Sequence, residues 1–277
     1  MQNHLKKTTA RRAYVDTPAG QIHYRQMGGG EGTKPLLLLH WAPMSGRLYE
    51  CVMPHFAARG YEVVAPDTMG FGQSDPRSGE WQISDYAANM IDMLDAFGTP
   101  KTYLVAGHMG AAVGCEIAIH YPERISKLVL DGNPCWDQET RDKMKANVSV
   151  TKSGVSEGGA HATLLWDRAY GALQKLNPEF TLTDETLGDV YALAVEIFQT
   201  RFEPSALAVF NYDMRLQLAN INQPALALTS EQEILRNEHD IVPKLMRDCE
   251  EHIFPGVHPL LVKGREQEYV DVVDKFF

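Results

Sequence analysis

The chain contains no uninterrupted apolar run near the roughly 20 residues that a membrane-spanning helix needs, and its charged N-terminus is not followed by the apolar core of a signal peptide. Basic residues are in deficit, 26 Lys and Arg against 36 Asp and Glu, for a net charge of −10. A surface of that sign repels nucleic acid and anionic membranes, so neither is an expected partner. Cysteine is scarce: the four at positions 51, 115, 135 and 249 show no C-x-x-C spacing, which fits reduced thiols in a cytoplasmic protein better than disulfides or zinc. The ten histidines contain no H-x-H or H-x-x-x-H pair, so no metal is expected. The glycines between residues 67 and 75 do not follow the dinucleotide fingerprint, so no nucleotide cofactor is implied. What remains is a cofactor-independent protein whose partner is a small molecule; a homodimer stays open.

What is present is a large apolar complement, 44% of 277 residues, enough for one α/β domain with an inserted subdomain. Residues 11–16 and 21–27 alternate about Thr17-Pro-Ala-Gly20 as a hairpin does. Continuous apolar runs at 35–40, 61–66, 101–106 and 125–130 predict strands buried on both faces. Helices are predicted over 46–59, 83–97 and 110–121 between them. This alternation implies a mostly parallel sheet with helices on both faces. It stops near Pro134, and residues 135–221 read as helical, with loops at 152–160 and 177–184. It returns with strands at 224–229 and 249–254 and helices at 241–248 and 265–277. The expected organisation is a core domain of residues 1–134 and 222–277 and a helical lid of 135–221, set over the carboxyl ends of the strands where open α/β sheets bind ligands.

The organising stretch is Ala106-Gly107-His108-Met109-Gly110, between a buried strand and a helix rich in small residues. A strand, a sharp turn with small flanking residues and one functional side chain at its tip make a nucleophile elbow, written G-x-S-x-G. Here the central residue is histidine.

Four stretches in order resemble the α/β-hydrolase superfamily. They are Leu39-His40-Trp41-Ala42-Pro43-Met44-Ser45 (the oxyanion loop), Asp67-x-x-Gly-x-Gly-x-Ser74-Asp75, the elbow running into Tyr121-Pro-Glu-Arg124, and Phe254-Pro-Gly-Val-His258. His108 lies thirteen residues before Tyr121, the spacing at which this family places its nucleophile, so the histidine is not the product of a deletion. The chain departs from the pattern in three places: His108 for Ser, Asp or Cys, Trp41 for the Gly of the oxyanion loop, and Ala106 for the first elbow glycine.

The resemblance implies an α/β-hydrolase fold and His258 as proton shuttle, since imidazole titrates near neutrality. The acid that orients His258 is expected to be Glu233, after the strand at 224–229, with Asp131 and Asp240 as alternatives. The backbone N–H groups of Ala42 and Met109 would form the oxyanion hole, with His40 bracing that loop. Trp41, Met44, Trp136 and Trp166 are candidate pocket residues for a small, largely apolar ester, lactone or other carbonyl compound. His108 could attack as a neutral imidazole or pair with His258 as an acid/base couple. Its greater reach than a hydroxymethyl group, which would misplace an oxyanion, favours the second. Non-hydrolytic acid/base chemistry (lyase, cyclase or decarboxylase type) and a non-catalytic ligand-binding protein are the alternatives to a hydrolase.

Overall fold

In a computed structural model, which describes residues 10–148, 157–199 and 202–277, eight strands form one sheet in the order β1-β2-β4-β3-β5-β6-β7-β8. β1 (Arg11–Thr17) and β2 (Gly20–Met27) form the hairpin, and β2 runs antiparallel to β4 (Tyr61–Pro66). β3 (Lys34–Leu39), β5 (Thr102–Gly107), β6 (Ile125–Asp131), β7 (Ala225–Ser230) and β8 (Cys249–Phe254) run parallel with β4. All six residues of β7 are buried, as an interior strand covered on both faces requires.

The chain leaves β3 for β4 on one side and then returns to β5 on the other. This reversal opens a crevice at the carboxyl ends of β3 and β5. The loop after β3 carries His40 to Ser45, and the turn after β5 carries His108, so both candidate stretches meet there.

Helices cover both faces. α1 (Met53–Ala57) and the closing helix pack on one side, and α2 (Ile83–Ala96) and α3 (Met109–His120) on the other. α3 is apolar nearly all round, with Ala111, Ala112, Val113, Cys115 and Ile117 buried, because it is wedged between the sheet and α2. Between β6 and β7 come α4 (Gln138–Val148), α5 (Ala160–Leu176), α6 (Leu187–Gln199), α7 (Phe202–Asn211) and α8 (Met214–Leu218). α8 packs on α3 and buries Met214 and Leu218 in the core. The predicted loop at 152–160 falls largely outside the described residues; that at 177–184 lies between α5 and α6.

Two predicted helices are shorter than expected. Residues 46–59 divide into a 3₁₀ turn, Gly46–Tyr49, and α1, where Pro54 occupies the first turn of the new helix. Proline has no N–H to continue a helix from the preceding turn. Likewise 241–248 yields only α10 (Val242–Leu245), opening at Pro243 and preceded by α9 (Arg236–His239). α11 (Glu266–Phe276) closes the chain and buries Tyr269, Val270, Val273 and Phe276.

Candidate active site

The elbow is a strained turn. His108 has φ +48° and ψ −113°, and among the described residues it is the one non-glycine with positive φ. Such a backbone costs about 1–3 kcal/mol and persists only where its surroundings over-determine it. Here the His108 N–H is shared between the carbonyls of Asp131 and Gly132, each 3.0 Å away, which lashes the elbow to the end of β6. The glycines beside it are required by close approach. A Cβ on Gly107 would stand 2.0 Å from Trp41 Nε1, and one on Gly132 would meet His108 Cδ2 at 2.5 Å and Glu233 Oε2 at 3.0 Å.

The His108 ring is almost enclosed, its side chain 11% exposed. Its Nε2 stands 3.2 Å from Oε1 of the buried Glu233, too poorly aligned for a hydrogen bond, so both atoms lack a hydrogen-bond partner. Burial pushes the Glu233 carboxyl up, but the His108 ring and more distant His258, with the Leu235 N–H on Oε2, outweigh it and hold the carboxyl below its usual value. Glu233 is therefore a carboxylate at neutral pH, and its charge favours the proton on the ring nitrogen facing it. Nδ1 is left with its lone pair free and has no partner among the described residues. The ring is further covered by the Trp41 indole, stacked with centroids 4.2 Å apart and planes 4° from parallel.

His258 is arranged differently from the expectation. The carboxylate bonded to it is that of Asp131, not Glu233: His258 Nε2 donates to Asp131 Oδ1 at 3.0 Å, and the Tyr269 hydroxyl donates to Oδ2 at 3.0 Å. The reason is topological. Asp131 ends β6 on the same face of the sheet as α11, whereas the turn after β7 carries Glu233 to the elbow. The other ring nitrogen, Nδ1, accepts the Leu260 N–H at 3.3 Å, so both nitrogens of His258 are engaged and neither is bonded to His108. The expected His108–His258 couple is not formed. The Trp41 indole meets the His258 ring edge-on at 5.2 Å while stacking on His108. Asp240 does not reach His258: it is exposed on α9's C-terminal side and paired with Arg236 at 2.5 Å.

The loop after β3 is braced by His40. His40 Nε2 accepts the Thr68 N–H at 3.0 Å, and Nδ1 donates to the Trp41 carbonyl at 3.0 Å. Burial, the largest influence, lowers the His40 pKa and keeps the ring neutral. Asp67 fixes the base of the loop, accepting from Arg25, His23 and the N–H groups of Gly46 and Gln73. The backbone N–H groups of Ala42 and Met109 have no acceptor among the described residues.

The pocket candidates scatter. Met44 lines a cleft of about 690 Å³ beside Leu193, Glu196 and Leu260, and Trp41 does not line it. Trp136, just before α4, packs on Phe210, and Trp166 on α5 packs on Tyr191. Tyr269 escaped sequence reasoning because one tyrosine on an amphipathic helix carries no signal of a partner 138 residues away. Among the described residues no group of three or more His, Cys, Asp or Glu could hold a metal ion, and no helix is long and apolar enough to cross a membrane.

Residues 34–151 match the family model described as alpha/beta hydrolase fold. A hydrolase from Pseudomonas aeruginosa superposes with a TM-score of 0.76 at 21% identity, over 96% of this chain and 98% of that one. The chain has the α/β-hydrolase fold. The enol-lactonase from Burkholderia xenovorans shares the fold with a TM-score of 0.73 at 16% identity, over 95% of this chain and 99% of its own. In sequence the chain is 31% identical over 120 residues to a haloalkane dehalogenase of Mycobacterium marinum, covering 43% of this chain and 40% of the relative. It is 36% identical over 117 residues to a 2-hydroxy-6-oxo-6-phenylhexa-2,4-dienoate hydrolase of Burkholderia cepacia, covering 40% of each. The chain thus spans about two fifths of the length of these curated relatives.

Proposed function

We propose that the protein is a cofactor-independent hydrolase of a small, largely apolar ester, lactone or other carbonyl compound, with His108 as general base and the Glu233 carboxylate as the charge that stabilises its protonated ring. The observation that carries this reading is one arrangement: an imidazole at the elbow tip, a carboxylate 3.2 Å behind it, and two backbone N–H groups without acceptors on the flanking loops. The names of the relatives, which include dienoate hydrolases and an enol-lactonase, favour hydrolysis of a carbonyl compound.

In this reading His108 Nδ1 takes a proton from water as the water oxygen attacks the substrate carbonyl carbon. Glu233 stabilises the imidazolium through Nε2–H. The Ala42 and Met109 N–H groups receive the oxyanion. As the tetrahedral intermediate collapses, the bond to the leaving oxygen breaks and that oxygen takes the proton from Nδ1. His258 takes no part, because in place it cannot accept a proton at Nδ1 while that nitrogen receives the Leu260 N–H. The helices α4 to α7 serve as the lid that selects the substrate.

A screen of activated esters and lactones against wild type and His108→Ala tests the proposal. General acid/base catalysis contributes roughly 10²–10⁴-fold, and a loss of that order in kcat/KM is expected. Full turnover by His108→Ala would remove His108 from the mechanism. A second reading rests on the free lone pair of Nδ1, which also suits proton abstraction from carbon. Deuterium incorporated from solvent into recovered substrate would identify that chemistry.

A further inference from the structure

We infer that Trp41 is a positioning residue for His108, fixing the plane of its ring so that Nε2 faces Glu233 and Nδ1 faces outward. The inference rests on the assignment of His108 and Glu233 above. The Glu233 contact cannot set the ring orientation by itself, because it is not aligned as a hydrogen bond. No other polar partner holds the ring among the described residues. What constrains it is the indole, parallel within 4° and 4.2 Å away, an offset or stacked geometry that aromatic pairs favour.

Trp41 is itself immobilised. Its carbonyl is held by His40 at 3.0 Å. Its indole edge rests on the elbow backbone, where Gly107 leaves room that a Cβ, 2.0 Å from Nε1, would fill. The alternative role, a wall of the substrate pocket, requires a face turned to the ligand. Trp41 is 1% exposed and offers none. The substitution of Trp for the oxyanion-loop glycine and of His for the elbow nucleophile therefore form one unit: a longer side chain at the elbow, and a flat side chain that holds it.

The test is ¹⁵N NMR of the full chain with labelled histidine, in wild type, Trp41→Phe and Trp41→Leu, alongside kcat and KM on the best substrate from the screen. Phenylalanine keeps a flat stacking partner; leucine fills much of the space without one. In wild type and Trp41→Phe, His108 should show a single Nε2–H tautomer. Trp41→Leu should give mixed tautomers and a loss of about 100-fold in kcat, as misplacement of a catalytic group by an ångström can produce, with KM changed far less. A wild-type tautomer and wild-type kcat in Trp41→Leu would overturn the inference.

One measurement needs no variant. Ring current from the stacked indole should shift the carbon-bound His108 protons upfield in the wild type. Their appearance at ordinary positions would show that the stack is absent in solution, and the inference would fall. Mixed tautomers in Trp41→Leu together with no wild-type hydrolysis would sink the hydrolase reading and leave the positioning role standing.

Discussion

Two carboxylate–imidazole pairs stand at the carboxyl ends of β5 to β8, and the indole of Trp41 packs against both rings. In the His258–Asp131 pair every polar atom of the ring has a partner, the carboxylate accepts a further bond from Tyr269, and both side chains are 1% exposed or less. In the His108–Glu233 pair the contact is unaligned, neither ring nitrogen makes a hydrogen bond, and the backbone beneath is strained. A satisfied buried network stabilises a fold, whereas unsatisfied polar groups and strain concentrate at functional sites. Under the proposed function the first pair serves stability and the second chemistry, the reverse of what the family pattern leads one to expect for His258.

The largest expected effect is on the sealed pair. Asp131→Asn leaves one uncharged carbonyl acceptor for the two donors, His258 Nε2–H and Tyr269 O–H, and sets an NH2 against the other. Hydrogen bonds to a charged group contribute roughly 1.5–3 kcal/mol each, so a loss of about 3–5 kcal/mol in unfolding free energy is expected from urea titration. Tyr269→Phe removes one of those bonds and should cost about 1.5–3 kcal/mol, with little effect on kcat. A fall in kcat at unchanged stability in either variant would break the division of roles.

The comparison also has a pH signature. Burial pushes the Asp67 carboxyl up, but its bonds to His23, Arg25 and the Gln73 N–H outweigh this and hold it below the usual value, as the His108 ring does for Glu233. A carboxylate whose folded-state pKa is depressed contributes stability that is full above the unfolded value of about 4 and is lost as pH falls through the folded one. Unfolding free energy should therefore decline on acidification below about pH 5, and less steeply in Asp67→Asn, which is already destabilised. An equal slope would mean that Asp67 gains nothing from its partners. The smallest effect expected is at the thiols: burial raises Cys51 and Cys135 to about 12. Thiolate is the reactive form, so mass spectrometry after brief iodoacetamide treatment should find both unmodified in the folded protein.

The fold was legible because its signals are local. Apolar runs gave the strands, and the spacing from His108 to Tyr121 placed the elbow. The N-terminal hairpin followed from Thr17-Pro-Ala-Gly20. Where a local signal was overridden, proline did it: Pro54 and Pro243 each open a new short helix inside a predicted longer one. That His108, His258, Asp131 and Glu233 gather at one end of the sheet was legible too, since each stands at or just beyond the carboxyl end of a strand. Their pairing was not, because it depends on which face of the sheet each loop turns to and on which ring nitrogen each imidazole presents. Trp41 shows the same limit: position 41 is evident from the oxyanion loop, but the stack on His108 is a matter of rotamer and of the room left by Gly107.

The most direct test of the account is kcat/KM for Glu233→Gln beside His258→Gln, measured on the substrate that wild type turns over best. Losing the acid of a working imidazole should lower the rate within the roughly 10²–10⁴-fold range of general acid/base catalysis, while His258→Gln, once shown to be folded, should stay within a few-fold of wild type. A collapse of activity in His258→Gln with Glu233→Gln nearly unaffected would contradict the account and return His258 to the centre of the mechanism.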